Sequence, residues 1–166
     1  MVRVSLAAYS TGWPRTFEAE RDRIVSALGD LALDVHHAGS TSVPGLRAKP
    51  IIDIALVVPD TTDEGAYVPP LEAIGYTFRL REPEWFEHRL LRHDVPAVNL
   101  HVFPPRCIEV TRMLAFRNHL RVNDEDRLLY ESTKAALSER EWPTVQDYAN
   151  AKDDVVADIM SRVDLR

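Results

Sequence analysis

The eight residues Ile51 to Val58 read IIDIALVV, an almost unbroken apolar and β-branched run. A run of this kind needs an inner strand of a sheet that is covered on both faces. Asp53 interrupts it. Side chains alternate along a strand, so Asp53 shares a face with Ile51, Ala55 and Val57, while Ile52, Ile54, Leu56 and Val58 point the other way. A carboxylate in that position must be partnered, hydrated in a cleft or bound to a cation, because an unpaired buried charge is too costly to keep. It therefore reads either as a structural acceptor for the preceding turn or as a metal ligand.

That turn, Gly39-Ser40-Thr41-Ser42, offers uncrowded backbone N–H groups and three hydroxyls, a composition suited to holding an anion, and Lys49 adds positive charge before the strand. A P-loop is excluded. Five residues separate Gly39 from Gly45, and Leu46 stands where the P-loop lysine belongs.

At 166 residues the chain suits one domain, residues 1–166, with a sheet-bearing front (1–104) and a helical back (105–166). Its apolar content of 45% and charged content of 28% are those of an ordinary globular protein, and no stretch approaches a membrane-spanning length. A secretory signal is not evident at the N-terminus, so a cytoplasmic location is expected. Cys107 is the one cysteine, which excludes an intrachain disulfide and a multi-cysteine zinc site. The formal charge of −6 argues against duplex nucleic acid as a partner but leaves room for a small basic pocket.

In chain order, Val2 to Ala8 reads as a short edge strand or an ordered arm. A helix is expected from Pro14, with Phe17, Ile24 and Leu28 on one stripe and Gly29 ending it. Leu31 to His37 reads as a strand leading into the turn. Pro69-Pro70 opens a short helix through Leu71 and Ile74, and Tyr76 to Leu80 resumes strand. Trp85 to Arg92 and Val98 to Phe103 flank a five-residue turn, as in an antiparallel hairpin; on the second strand Asn99, His101 and Phe103 share a face. Beyond Pro104-Pro105 the period becomes helical over Glu109–Val122, Asp124–Ser138 and Thr144–Val163. Asn123 and Asp124, then Trp142-Pro143-Thr144, supply the breaks and caps.

Each of these late helices carries a cation beside its apolar stripe. Arg117 follows Met113 by four residues, Lys134 follows Tyr130 by four, and Lys152 follows Tyr148 by four. Long side chains can snorkel from such positions to solvent. Together, three cations on faces that should meet the sheet call for an anion. Among the histidines, His101 reads as a core residue or a ligand, and His37 as a residue that orients the turn. His36, His88, His93 and His119 form no cluster that the sequence defines.

The segment G-S-T-S-V-P-G-L-x-x-K-P-I-I-D-I, Gly39 to Ile54, resembles the signature of the GrpB family, in the nucleotidyltransferase-fold superfamily. F-R-x-x-L-R (Phe116 to Arg121) and two Y-x-x-x-K segments (Tyr130 to Lys134 and Tyr148 to Lys152) resemble that family too. The resemblance implies an α+β fold: a small mixed sheet with flanking helices and a C-terminal helical part, nucleotidyltransferase-like. In that superfamily the Gly-Ser turn is followed by a strand with two metal-binding carboxylates. Gly39, Ser40 and Asp53 match, and the second carboxylate position is Ala55. The function implied is binding of a nucleoside triphosphate and transfer of a nucleotidyl group to an acceptor that the sequence does not identify. Asp53 and His101 would be catalytic and would hold Mg²⁺. Gly39, Ser40, Thr41, Lys49, Arg117, Tyr130, Lys134, Tyr148 and Lys152 would bind phosphate and nucleotide. A non-catalytic nucleotide-binding accessory module and a phosphate-ester hydrolase are the alternatives on the same pocket.

Overall fold

The computed structural model describes residues 1–165. Five strands, β1 (Asp34–Ala38), β2 (Ile52–Val57), β3 (Thr77–Glu82), β4 (His88–His93) and β5 (Val98–Phe103), form one sheet in the order β1-β2-β5-β4-β3. β2 and β5 pair in parallel and the other neighbours are antiparallel, so the sheet is mixed. The apolar run of β2 takes an inner place, as its composition requires.

The two faces of the sheet differ. Ile52, Ile54 and Leu56 of β2 join Val98, Leu100 and Val102 of β5 in a core with Trp13, Phe17, Ile24 and Leu28 of α1 (Gly12–Leu28) and with Tyr67 and Leu71 of α2 (Glu64–Ala73). The opposite face is divided along its length. At one end Ala55, Val57 and Phe103 pack under Val110 of α3 (Ile108–Val122). At the other end Asp53, Asn99 and His101 stay polar, with Asp53 opposite Asn99 and Ala55 opposite His101 in the parallel register. Helices α4 (Asp124–Ser138), α5 (Val145–Ala151) and α6 (Asp153–Met160) complete the chain. Among the described residues no helix is long and apolar enough to cross a membrane.

Several elements differ from the sequence reading. Residues Val2 to Ala8 form an arm tied by two bridges, Val2 to Trp142 and Ala7 to Ala48. Helix α2 begins five residues before Pro69; the prolines fall mid-helix, where their missing N–H groups cannot bond the Gly65 and Ala66 carbonyls one turn earlier. Strand β4 starts at His88 rather than Trp85, because Phe86 and Glu87 adopt positive φ of 55° and 50° and complete a turn. The stretch from Thr144 to Val163 is broken at Lys152, whose N–H bonds to Ala149 at 3.2 Å in a tighter turn, so it gives α5 and α6 instead of one helix. The predicted caps hold: Asn123 accepts from the Asp126 N–H at 2.9 Å and Thr144 from the Asp147 N–H at 3.1 Å.

Candidate functional site

The site begins with the close approach of a turn to a strand. Gly39 has φ +70°, and a Cβ there would lie 2.5 Å from Asp53 Oδ2, so only glycine lets the carboxylate sit against the turn. Residues Ser40–Ser42 then wind one 3₁₀ turn, with the Ser42 and Val43 N–H groups donating to Gly39 and Ser40. His37 braces the turn from beneath: it stacks on Phe17 with ring centroids 4.8 Å apart and bonds Thr41 Oγ1 through Nε2 at 2.9 Å. Burial, reinforced by Arg121, pushes its imidazole down to about 4, so it is neutral at pH 7. Two arginines of α3 clamp the outside. Arg117 donates to the His37 carbonyl and Arg121 to the Ser42 carbonyl, each at 2.9 Å.

Helix α4 reaches the turn through Lys134. Its ammonium donates to Ser40 Oγ at 3.0 Å and to the Arg47 carbonyl at 2.7 Å, and the residue is 2% exposed. This side chain does not snorkel. Among the described residues Lys134, Lys152 and Lys49 form no ion pair. Each lies over a tyrosine: Lys134 is 4.8 Å from the Tyr130 centroid, and Lys152 and Lys49 are 5.0 and 5.7 Å from that of Tyr148. Burial, and then repulsion from Lys152, pushes Lys134 down to about 7. Burial and Lys49 push Lys152 down to about 8 despite Asp53 nearby, and burial lowers Lys49. The Tyr148 hydroxyl is buried without a hydrogen-bond partner.

Two cavities meet over Asp53, and both are also lined by Ser40 and Lys152. A polar one of about 140 Å³ takes in Thr41, Lys49, Lys134, Tyr148 and Asn99. A larger one of about 300 Å³ takes in Gly39, His101, Arg117 and Tyr130, with an apolar wall that includes Met113 and Phe116. All eleven site residues singled out from the sequence therefore line one or both cavities. His101 Nε2 lies 3.2 Å from Asp53 Oδ1.

The sequence reading missed the residues behind His101. His88 Nε2 meets His101 Nδ1 at 3.0 Å, and Glu82 Oε1 meets His88 Nδ1 at 2.9 Å. Burial pushes His88 down to about 3. The signal that would have found it is the hairpin register, which periodicity alone does not supply. Among the described residues no three His, Cys, Asp or Glu side chains gather as a metal cluster. Asp53 is the single carboxylate among the described residues that line the two cavities. One carboxylate would suit Mg²⁺ only where phosphate oxygens and water supply the remaining ligands, a common arrangement for this ion.

Comparison with known proteins places this geometry. The chain is 53% identical over 159 residues to a UPF0157 protein of Halalkalibacterium halodurans, covering 96% of this chain and 82% of that one. The crystal structure of the conserved protein GrpB from Enterococcus faecalis superposes with a TM-score of 0.84 at 30% identity, covering 95% and 96% of the two chains. The Cid1 poly(U) polymerase, solved with Mg and 3′-dATP bound, shares the fold with a TM-score of 0.57 at 14% identity, over 90% of this chain and 49% of that one. The α+β architecture is thus nucleotidyltransferase-like. The family described as GrpB protein matches residues 3–162, nearly the whole length, and the chain belongs to it.

Proposed function

We propose that this protein binds a nucleoside triphosphate over Asp53, with the phosphates in the polar cavity. The observation that carries this reading is the gathering of Lys49, Lys134 and Lys152 around one small cavity without an ion pair, beside a buried and unbonded Tyr148 hydroxyl. Desolvated ammonium groups are costly unless something anionic meets them, and a polyphosphate supplies charge and acceptors together. Ser40 and Thr41 supply hydroxyls at the same wall, and Arg117 faces the apolar cavity.

In this reading Asp53 would hold the Mg²⁺ that arrives with the triphosphate, and His101 would support it. When bound, Mg²⁺ neutralises phosphate charge and aligns the leaving group. Nucleotidyl transfer would join an acceptor oxygen or nitrogen to the α-phosphorus and break the bond to pyrophosphate, the acceptor proton passing to the Asp53–His101 pair. A second reading, a nucleotide-binding accessory module without transfer, is favoured by Ala55. Its methyl group stands where the superfamily carries another carboxylate.

The test is calorimetry and thermal denaturation with nucleoside triphosphates, with and without Mg²⁺. A ligand at 100 times its Kd stabilises by about 2.7 kcal/mol. Stabilisation that Asp53→Ala weakens and Lys152→Met removes is the expected result. The absence of any shift at millimolar ligand would overturn the reading, and release of pyrophosphate separates the transferase from the accessory module.

A further inference from the structure

The proposed function uses Asp53 and His101 but gives no task to Glu82 and His88, which complete a line of hydrogen bonds across the sheet. The line runs from Glu82 Oε1 to His88 Nδ1 (2.9 Å), from His88 Nε2 to His101 Nδ1 (3.0 Å), and from His101 Nε2 to Asp53 Oδ1 (3.2 Å). Strand register builds it. Glu82 stands opposite His88 in the β3–β4 pair. Leu90 stands opposite His101 in the β4–β5 pair, so His88, two residues before Leu90, emerges on the same face as His101. Asp53 faces Asn99 in the β2–β5 pair, which puts it on the diagonal from His101, and Ala55 beside His101 leaves the ring room to lean toward it.

The hydrogen-bond inventory gives this line a direction. A carboxylate offers only acceptors, so Glu82 takes the hydrogen on His88 Nδ1. His88 is 3% exposed, packed on Phe103 with centroids 4.9 Å apart and edge-on to Trp85 at 5.0 Å. A ring so far from water is held neutral, and its Nε2 is then a lone pair. Only an N–H on His101 Nδ1 can meet that lone pair. With Nδ1 committed, the Nε2 edge of His101 is the one that faces Asp53, and the ring cannot turn over without giving up its bond to His88.

We infer that Glu82 and His88 are positioning residues for the site: they fix the ring orientation and the Nδ1–H of His101, so that its Nε2 edge is the one turned toward Asp53, a lone pair in the neutral ring and a donor to Oδ1 when the ring is protonated. The functional half of this assignment rests on the nucleotide reading given above; the structural half does not.

The experiment uses protein labelled with ¹⁵N at histidine, as wild type and as Glu82→Gln, His88→Gln and His88→Phe. Long-range ¹H–¹⁵N spectra at neutral pH report which nitrogen of each ring carries hydrogen. Calorimetry with ATP and Mg²⁺ reports affinity. In the wild type, Nδ1 of both His88 and His101 should carry hydrogen. Glu82→Gln puts a group that can donate as well as accept at the end of the line, and should blur the assignment at His101 although residue 82 does not touch it. His88→Phe should lower ATP affinity about tenfold, and His88→Gln, whose amide oxygen can accept from Nδ1, should restore most of it. A bare His101 Nδ1 in the wild type overturns the inference, as does a Glu82→Gln protein with an unchanged His101 spectrum. Equal ATP affinity in wild type and a folded His88→Phe overturns its functional half. If His88→Phe does not fold, Glu82→Gln at the edge strand still decides. If wild type binds no ATP, the nucleotide reading fails while the spectra still judge the positioning.

Discussion

Helix α4 buries Asp126 and Lys134 on one stripe, eight residues apart, and treats them in opposite ways. Asp126 is enclosed by charge: Arg162 donates to it at 2.6 and 3.1 Å and His119 bonds it at 2.6 Å, so hydrogen bonds from Arg162 and His119 hold its carboxyl down to about 2. Lys134 meets a hydroxyl, a carbonyl and the face of Tyr130, and burial pushes its ammonium down to about 7. The first is a closed network that joins α4 to the chain beyond α6. The second leaves a charge answered by dipoles and a ring face, with no carboxylate paired to it among the described residues, at the wall of a cavity. A buried group that the protein satisfies is part of its architecture; one that the protein leaves short of counter-charge is where a ligand adds what is missing.

The comparison breaks most visibly at its satisfied end. Asp126→Ala takes the charged acceptor from His119 and from Arg162, which keeps Asp158, and should cost about 2–3 kcal/mol in urea denaturation while leaving the ATP affinity of the folded protein unchanged. Loss of affinity along with stability would mean that the two ends are not separate. At the other end, Lys134→Met should lower ATP affinity roughly 30-fold, about 2 kcal/mol, with stability equal to or above wild type, because a desolvated charge has gone. A destabilised Lys134→Met protein that still binds ATP would reverse the assignment.

Gly39→Ala should cost about 1–2 kcal/mol through its positive φ, and should weaken the Mg²⁺-dependent part of binding by displacing Asp53. The effect that is smallest within any one pH unit is a slope. Lys134 and Lys152, ordinarily at 10.5, stand at about 7 and about 8 in the folded chain, so above those values the unfolded chain holds protons that the folded one lacks, and stability rises with pH toward 10.5. Asp126 acts at the other end of the scale: its contribution is present above its ordinary 3.8 and lost as pH falls toward 2. Each lysine adds less than about 1.4 kcal/mol per pH unit, and saturating tripolyphosphate should flatten the alkaline limb while leaving the acid limb alone.

Much of this was legible in the residues because local rules govern it. The β2 run announces an inner strand, glycine before serine announces the tight turn, and a tyrosine four residues before a lysine places both on one helix face. The gathering of Lys49, Lys134 and Lys152 over Asp53 follows from those faces. What was hidden depends on register and on context. Trp85 and Phe86 look like strand residues yet sit in a turn at the mouth of β4, which concealed where His88 would emerge. Pro69 and Pro70 mark a helix start by preference, but α2 carries them in its second turn. Nothing in the composition around Lys152 marks the break between α5 and α6. Arg117 was read as a partner for phosphate, and its use of one N–H on the His37 carbonyl, 80 residues away, is a tertiary fact.

The bond from Lys134 to Ser40 spans 94 residues. A chain still emerging from the ribosome, or one clipped before α4, can already own the aspartate, the glycine turn, Lys49 and the paired strands, yet it lacks Lys134 and Lys152, which the proposed polyphosphate site needs. Under the proposed function, ligand capture would be a certificate of finished folding, issued only when the last helices have closed over the first half of the chain.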